Sequence, residues 1–95
     1  MRTIDWTNAF KRDFKRHGNL ESALVEALWK LSNDEPLPQK FSDHALSGDY
    51  KDHRDCHIHP DLVLIYAKPD AKTLRLVRLG SHSELFGKRV NFRSA

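Results

Sequence analysis

An apolar run over residues 62–67 lies between two short turn signals, and this arrangement constrains the fold more than any other feature of the sequence. The turn signals, residues 59–61 and 68–72, each contain proline followed by aspartate. Because turns this short join antiparallel neighbours, residues 49–58, 62–67 and 73–80 are predicted to form a three-stranded meander. The middle run is apolar at both odd and even positions, which is typical of an interior strand.

The N-terminal segment predicts a strand followed by a helix. Polar and apolar residues alternate over residues 2–6, as expected for a short strand with one buried face. A helix is predicted over residues 9–17, with Thr7 or Asn8 as its N-cap and Gly18 as its left-handed terminator.

The second predicted helix has the strongest helical pattern of the chain. Apolar residues recur one turn apart at Leu20, Ala23, Leu24, Ala27, Leu28 and Leu31. Val25 and Trp29 are expected to widen this stripe, so that the helix packs against both the sheet and the first helix. The helix cannot continue past Pro36, and the polar residues 39–49 are predicted to form a loop. The fold class is therefore α+β: an N-terminal strand, two α-helices and an antiparallel meander in one sheet.

Length and composition exclude several classes of protein. A chain of 95 residues has room for one core, so residues 1–95 are expected to form a single domain. Lys and Arg number 16 against 13 acidic residues, a net charge of +3 that permits a polyanionic partner without requiring one. Cys56 is the only cysteine, which excludes an intramolecular disulfide and a cysteine-rich zinc site. No apolar run approaches the length of a membrane span, so a cytosolic location is expected.

The distribution of histidines is the main functional signal. Five of the six lie between residues 44 and 82, at positions His44, His53, His57, His59 and His82. On an extended strand Asp55, His57 and His59 share one face, and the meander brings Asp61 close to the end of that strand. Because His82 follows the last strand, we expect these groups to converge on one pocket.

Three interpretations of this pocket are open from the residues alone. His57 and His59, with a third histidine and an aspartate, would supply ligands for zinc or another divalent ion. The histidines would otherwise be ordinary surface residues or turn caps. The third interpretation is general acid–base catalysis without metal, in which one imidazole removes a proton and another, made cationic by Asp55 or Asp61, returns one. Cleavage of RNA through its own 2′-hydroxyl needs these groups and no cofactor.

Cationic and aromatic side chains accompany the histidines. The guanidinium groups that could stabilise negative charge on a phosphate are those of Arg54, Arg75, Arg78 and Arg89. A solvated strand face is the alternative for these arginines. Phe86 is either a core residue at the end of the sheet or a stacking partner for a nucleotide base. The basic residues between 11 and 16 are typical of a solvated helix face, and would also suit a folded RNA or a ribosome.

Four stretches resemble the YafQ branch of the RelE/ParE toxin superfamily. They are Asp43-His44-Ala45-Leu46-Ser47-Gly48, Arg54-Asp55-Cys56-His57-Ile58-His59-Pro60-Asp61, Leu64-Ile65-Tyr66 and Gly80-Ser81-His82-Ser83-Glu84-Leu85-Phe86-Gly87. The resemblance implies a RelE-like fold and a bacterial toxin of a type II toxin–antitoxin pair. It also implies a ribosome-dependent endoribonuclease that cuts messenger RNA without a metal. The implied partners are a DinJ- or RelB-like antitoxin, the ribosome and mRNA, with no membrane and no DNA bound by the toxin alone.

The resemblance also implies roles for individual residues. The implied catalytic residues are His44, His57, Asp61 and His82. We hypothesise that His82 and His57 share the base and acid roles and that Asp61 sets the charge or tautomer of one of them. His44, with nearby arginines, would then hold the phosphate.

Two further positions match the family pattern, and two features of the sequence depart from it. Asp55 matches an acidic position beside the site, and Phe86 matches the aromatic of the closing motif. Leu62 stands where YafQ-like toxins can carry a tryptophan, and residues 88–95 form a basic C-terminal tail that the motifs do not explain. The alternative is a ParE-like toxin that binds and poisons DNA gyrase, although pure binding has little use for several titratable rings in one pocket.

Overall fold

A computed structural model of the chain describes residues 1–17 and 19–87, so the proposed terminator Gly18, Arg89 and the tail 88–95 lie outside the described residues. The regular elements are β1 (Thr3–Trp6), α1 (Asn8–His17), α2 (Ser22–Ser32), β2 (His44–Ala45), β3 (Arg54–His59), β4 (Leu62–Asp70), β5 (Thr73–Gly80) and α3 (His82–Phe86). Two short 3₁₀ helices, Gln39–Phe41 and Gly48–Tyr50, flank β2. None of the helices described is long and apolar enough to cross a membrane.

The strands form one five-stranded sheet in the order β1-β5-β4-β3-β2. The predicted meander is confirmed, because β3, β4 and β5 are antiparallel neighbours. The sheet extends beyond that meander at both edges: β1 adds in parallel beside β5, and β2 pairs antiparallel with β3. The α+β class is therefore confirmed with a mixed sheet.

Several predicted boundaries were wrong. The first strand of the meander was predicted to begin at residue 49, but Gly48–Tyr50 is a 3₁₀ helix and β3 begins at Arg54. Within the predicted loop 39–49, the structure contains a 3₁₀ helix and the two-residue strand β2. The helix α3 was not predicted, although Ser81 and Glu84 have the spacing of a capping box and form one.

The two faces of the sheet bury different cores. The larger core lies between the sheet and the helices α1 and α2, and includes Phe10, Leu24, Leu64, Tyr66 and Leu74. A smaller core on the opposite face contains Val63, Ile65 and Leu85. Successive residues of β4 alternate between the two cores, which is why this strand is apolar at both odd and even positions. The second face, next to α3, carries the candidate site.

Some apolar residues that were predicted to be buried are exposed. Leu20 precedes α2, which has Glu21 as its N-cap, and its side chain is exposed. Val25 and Trp29 are also exposed, because they lie one turn apart on the side of α2 away from the buried stripe. The strand Thr3–Trp6 is exposed at all four positions, so its predicted buried face was wrong as well.

This difference between neighbouring residues of α2 gives a stability prediction. Leu24→Ala is expected to lower the free energy of unfolding by about 2–5 kcal/mol, since the side chain is 1% exposed and its removal leaves a cavity. Val25→Ala, at a position 48% exposed, is expected to change it by less than about 0.5 kcal/mol. Urea unfolding followed by circular dichroism measures both. Equal losses would contradict the orientation of α2.

Candidate active site

A buried carboxylate, Asp55 on β3, lies at the centre of the candidate site. Its side chain faces away from α1 and α2 and the residue is 1% exposed. Burial raises the pKa of Asp55, while the nearby imidazoles of His44, His57 and His82 act in the opposite direction. The strands β2 and β3 and the helix α3 therefore each bring one histidine to the same carboxylate.

His44 lies directly beside Asp55 in the pairing of β2 with β3. Its Nδ1 is 2.9 Å from the carbonyl oxygen of Ser42 and 3.1 Å from Oδ1 of Asp55. A single N–H on Nδ1 cannot donate well to both oxygens, and only the carbonyl oxygen of Ser42 has the geometry of a hydrogen bond with it. Oδ1 of Asp55 is consequently buried without a hydrogen-bond partner among the described residues. Such an atom is costly to leave unsatisfied, so it is poised to accept a proton or a donor from outside.

His57 follows Asp55 on the same face, and its ring centroid is 6.5 Å from that of His44. The prediction that His59 shares this face was wrong. The pairing of β3 with β4 shifts by one residue between His57 and His59, a bulge that places His59 on the helix side, where its ring contacts Glu21. His57 and His59 therefore do not lie side by side on one face of β3, and the described residues contain no group of three or more histidine, cysteine or carboxylate side chains placed to hold a metal.

His82 is positioned by the capping box at the start of α3. The hydroxyl of Ser81 accepts from the backbone N–H of Glu84 at 3.1 Å, and the Glu84 carboxylate accepts from the N–H of Ser81 at 2.8 Å. Gly80 is needed here because a Cβ at this position would lie 2.8 Å from the Glu84 carboxylate. The His82 ring packs on Phe86 with centroids 4.6 Å apart, one helical turn later.

His44, Asp55 and His82 line a pocket of about 610 Å³ between β2, the 3₁₀ helix Gly48–Tyr50 and α3. His57 is not part of its lining and instead lines a separate groove with Pro60. Its aromatic wall is formed by Phe86 and Tyr50, whose rings meet edge to face at 5.9 Å. Sequence reasoning missed Tyr50, although an aromatic residue within a polar loop was a usable signal. Phe86 packs against the smaller core, as one of its two predicted roles requires, and its half-buried ring also lines the pocket.

The structure does not bring all the predicted residues to this pocket. Asp61 is exposed in the turn between β3 and β4, and forms no hydrogen bond or ion pair with another described side chain. Arg54 lies on the helix side of the sheet, where its guanidinium binds Asp43. Arg75 pairs with Asp5 of β1 at 3.3 Å, at the far edge of the sheet. The predicted clustering of Arg54 and Arg75 around the phosphate site was therefore wrong.

Arg78 is held by Asp13 of α1 at the free edge of β5. Its Nε lies 2.7 Å from Oδ2 of Asp13, which also accepts from the backbone N–H of Leu79 at 2.9 Å. Although burial raises the pKa of Asp13, these hydrogen bonds outweigh it and hold that pKa below its usual value. The pKa of Arg78 is raised mainly by Asp13 and to a lesser extent by the Tyr50 hydroxyl. Arg78 thus lies near Tyr50, which lines the pocket, but its positive charge is paired with Asp13.

Asp55→Asn is expected to raise the midpoint of thermal unfolding at about pH 7. Because the pKa of Asp55 is raised by burial, the folded state loses stability as the pH rises past the usual aspartate value of about 3.9. The amide has no charge to bury and escapes this loss, so the difference should vanish at about pH 3. Circular dichroism melts at the two pH values measure it. A variant less stable than the wild type at neutral pH would contradict burial as the dominant influence.

Comparison with known proteins supports the resemblance found in the sequence. A family model described as the bacterial toxin of type II toxin–antitoxin system, YafQ, matches residues 2–87. The mRNA interferase toxin YafQ of Escherichia coli K12 is 37% identical over 91 residues, which cover 92% of this chain and 98% of that protein.

Solved structures agree with this match. A copper-bound mutant toxin from Helicobacter pylori superposes with a TM-score of 0.84 at 44% identity, covering 90% of this chain and all of that one. A chain of the Escherichia coli DinJ–YafQ complex superposes with a TM-score of 0.76 at 34% identity, covering 92% of this chain and all of that one. These matches favour the YafQ resemblance over the ParE-like alternative. The chain belongs to the YafQ family of bacterial toxins of type II toxin–antitoxin systems.

Proposed function

We propose that this chain is an endoribonuclease that cleaves messenger RNA, the activity that the name of its Escherichia coli relative states for that protein. The observation that carries the proposal is that His44 and His82, from separate segments, line one pocket with the buried carboxylate of Asp55, while the ring of His57 lies 6.5 Å from that of His44. Imidazoles titrate near neutral pH and transfer protons efficiently there, and several of them around one carboxylate suit acid–base chemistry better than simple binding.

In the proposed reaction, His82 and His57 share the base and acid roles. The base takes the proton of the ribose 2′-hydroxyl, whose oxygen attacks the adjacent phosphorus. The bond from phosphorus to the 5′-oxygen breaks, and the acid protonates that oxygen, which leaves a 2′,3′-cyclic phosphate and a 5′-hydroxyl. Asp55 stabilises an imidazolium in either role because its charge is close to both rings.

His44 and the aromatic wall are proposed to hold the substrate. The Nδ1 of His44 is engaged by Ser42, so its Nε2 is left to contact a phosphate oxygen. Phe86 and Tyr50 offer ring faces and edges on which a base can stack. We propose that the Asp61 carboxylate contacts the substrate. Asp61 is exposed and directly follows Pro60, which lines a groove together with His57.

The proposed partners follow from the family and from the charge of α1. We infer that an antitoxin binds this chain, as DinJ does in the complex with Escherichia coli YafQ. The basic side chains of α1 that are exposed are Lys11, Arg12, Lys15 and Arg16. They offer a surface for ribosomal RNA, whose phosphates attract such a patch. This activity places the chain in the bacterial cytoplasm, where mRNA is translated.

The test is inducible expression in bacteria of the wild type and His82→Ala, with transcript ends mapped before and after translation is blocked. New ends that need both His82 and active translation are expected. Chain that has been treated with EDTA and then freed from the chelator is expected to cleave ribosome-bound mRNA as fast as untreated chain, because the proposed proton transfers need no bound metal. Full growth arrest by a folded His82→Ala chain, or loss of cleavage after the EDTA treatment of the chain alone, would overturn the assignment.

A further inference from the structure

A polar cluster lies beneath the candidate site, on the helix side of the sheet. The Asp43 carboxylate accepts from the hydroxyl of Tyr66 and from two nitrogens of Arg54, each 3.3 Å away. We call these three residues the Asp43 cluster. Tyr66 is 1% exposed, and burial together with Asp43 raises the pKa of its phenol. The cluster is outside the pocket, and the proposed chemistry does not use it.

The Asp43 cluster is connected to His44 through the backbone. Asp43 and His44 are consecutive, and in extended chain their side chains point to opposite faces of the sheet. The same alternation on β3 separates Arg54, below the sheet, from Asp55, above it. His44 therefore lies beside Asp55 on the pocket face of the sheet. Directly behind them, on the other face, Asp43 binds Arg54.

The strand that carries His44 is short, and beyond its pairing with β3 it is held by Leu46, whose N–H bonds the carbonyl oxygen of His53 and whose side chain packs on the smaller core. β2 consists of His44 and Ala45 alone, and strands of this length are not stable without further contacts. Ser42, which precedes the cluster, adopts a left-handed conformation with φ 47° and supplies the carbonyl that binds His44 Nδ1. A shift of Asp43 would move both Ser42 and His44, since they flank it in the chain.

We propose that the Asp43 cluster positions His44 against Asp55, so that Asp43, Arg54 and Tyr66 are positioning residues for the reaction rather than catalytic residues. The inference rests on the proposed function only for its effect on cleavage. In this proposal Arg54 does not bind the phosphate, as predicted from the sequence, but helps to hold His44 in place through Asp43.

The first test does not depend on activity. In the NMR spectrum of the full chain, Tyr66→Phe is expected to shift and broaden the ring resonances of His44, although the two residues do not touch. His17 is the internal control, because it lies on α1, contacts Glu84 at 3.2 Å and is not a chain neighbour of any residue of the cluster. If the His44 and His17 signals change equally little, the positioning role is overturned.

The second test is a double-mutant cycle measured on ribosome-bound mRNA. Asp43→Ala is expected to lower kcat about tenfold, by displacing His44, and Tyr66→Phe less than that, with KM changed less than about twofold. In the His44→Ala background both substitutions are expected to have no further effect on kcat. Equal losses in both backgrounds would show a merely structural role and overturn the proposal.

Two controls separate this proposal from the proposed function. Arg2→Gln breaks an Arg–Asp pair of 2.8 Å with Asp34, remote from the pocket, and corrects for general destabilisation. Rates are compared at equal folded fractions, judged by circular dichroism. If His44→Ala alone leaves kcat unchanged, the role of His44 in the proposed function fails, and the NMR experiment alone decides the positioning claim.

Discussion

Replacement of His82 by alanine is expected to lower the rate constant for RNA cleavage by about 10²–10⁴-fold, the range for loss of a group that transfers a proton in the transition state. His82 is the pocket histidine on α3, where the capping box and Phe86 fix its ring. Single-turnover cleavage of a defined mRNA bound to ribosomes, with the chain in excess, measures the chemical step directly.

His59→Ala is the matched control for this experiment. Both histidines lie in the second half of the chain, but the bulge in β3 directs His59 to Glu21 on the helix side. Its replacement is expected to leave the rate constant within about twofold of the wild type, because its ring pairs with Glu21 and does not line the pocket that holds His82. Equal losses for His59→Ala and His82→Ala would contradict the location of the active site.

Asp13→Ala is expected to lower the free energy of unfolding by about 3–5 kcal/mol at neutral pH, as for removal of one partner of a buried ion pair. Asp13 is 3% exposed and accepts hydrogen bonds from Arg78 and from the backbone N–H of Leu79. The pairing of β1 with β5 does not reach Leu79, so the bond from the Leu79 N–H to Asp13 satisfies a backbone donor of β5 that β1 leaves unpaired. Without Asp13 the Arg78 charge and the Leu79 N–H lose their partner. Urea unfolding of both chains measures the loss.

The pH dependence of this loss has a defined sign. The folded-state pKa of Asp13 lies below its unfolded value, so its stabilisation is fully present above that unfolded value, about 3.9, and is lost as the pH falls through the folded value. Asp13→Ala and the wild type should therefore converge in stability in acid. Asp34→Ala is the control: Lys68 and Arg2 lower its pKa to about 2, but it is exposed and its removal is expected to cost less. A loss that persists unchanged in strong acid would contradict an ionic role for Asp13.

The parts of the fold that depend on neighbouring residues were predictable. The buried stripe of α2, from Leu24 to Leu31, follows from one-turn spacing, and the first hairpin follows from its Pro-Asp turn signal. The second predicted turn, 68–72, was too long, because β4 continues to Asp70. The N-cap of α1 was also within reach, since the Thr7 hydroxyl accepts from the N–H of Phe10 at 2.9 Å. Each of these features is decided by contacts within a few residues, which a sequence pattern records directly.

The histidine distribution and the family motifs predicted which histidines lie near one another, but not how they are arranged. His44 and His82 share a pocket with Asp55, and His57 lies beside His44 on the same face of the sheet. The hypothesis gave Asp61 the charge-setting role, whereas the carboxylate that faces the rings is Asp55. Nothing in residues 54–61 signals the bulge that separates His57 from His59, because it arises from how β3 pairs with β4.

The sequence by itself determined the α+β class, the antiparallel order of β3, β4 and β5, and the family to which the chain belongs. Only the tertiary structure decided that β1 pairs in parallel with β5, that His59 turns away and that Arg54 lies beneath the site. The physical reason is that strand register and side-chain partners depend on residues far apart in the chain. Such partners, Arg78 with Asp13 or Tyr66 with Asp43, leave no spacing in the sequence from which to infer them.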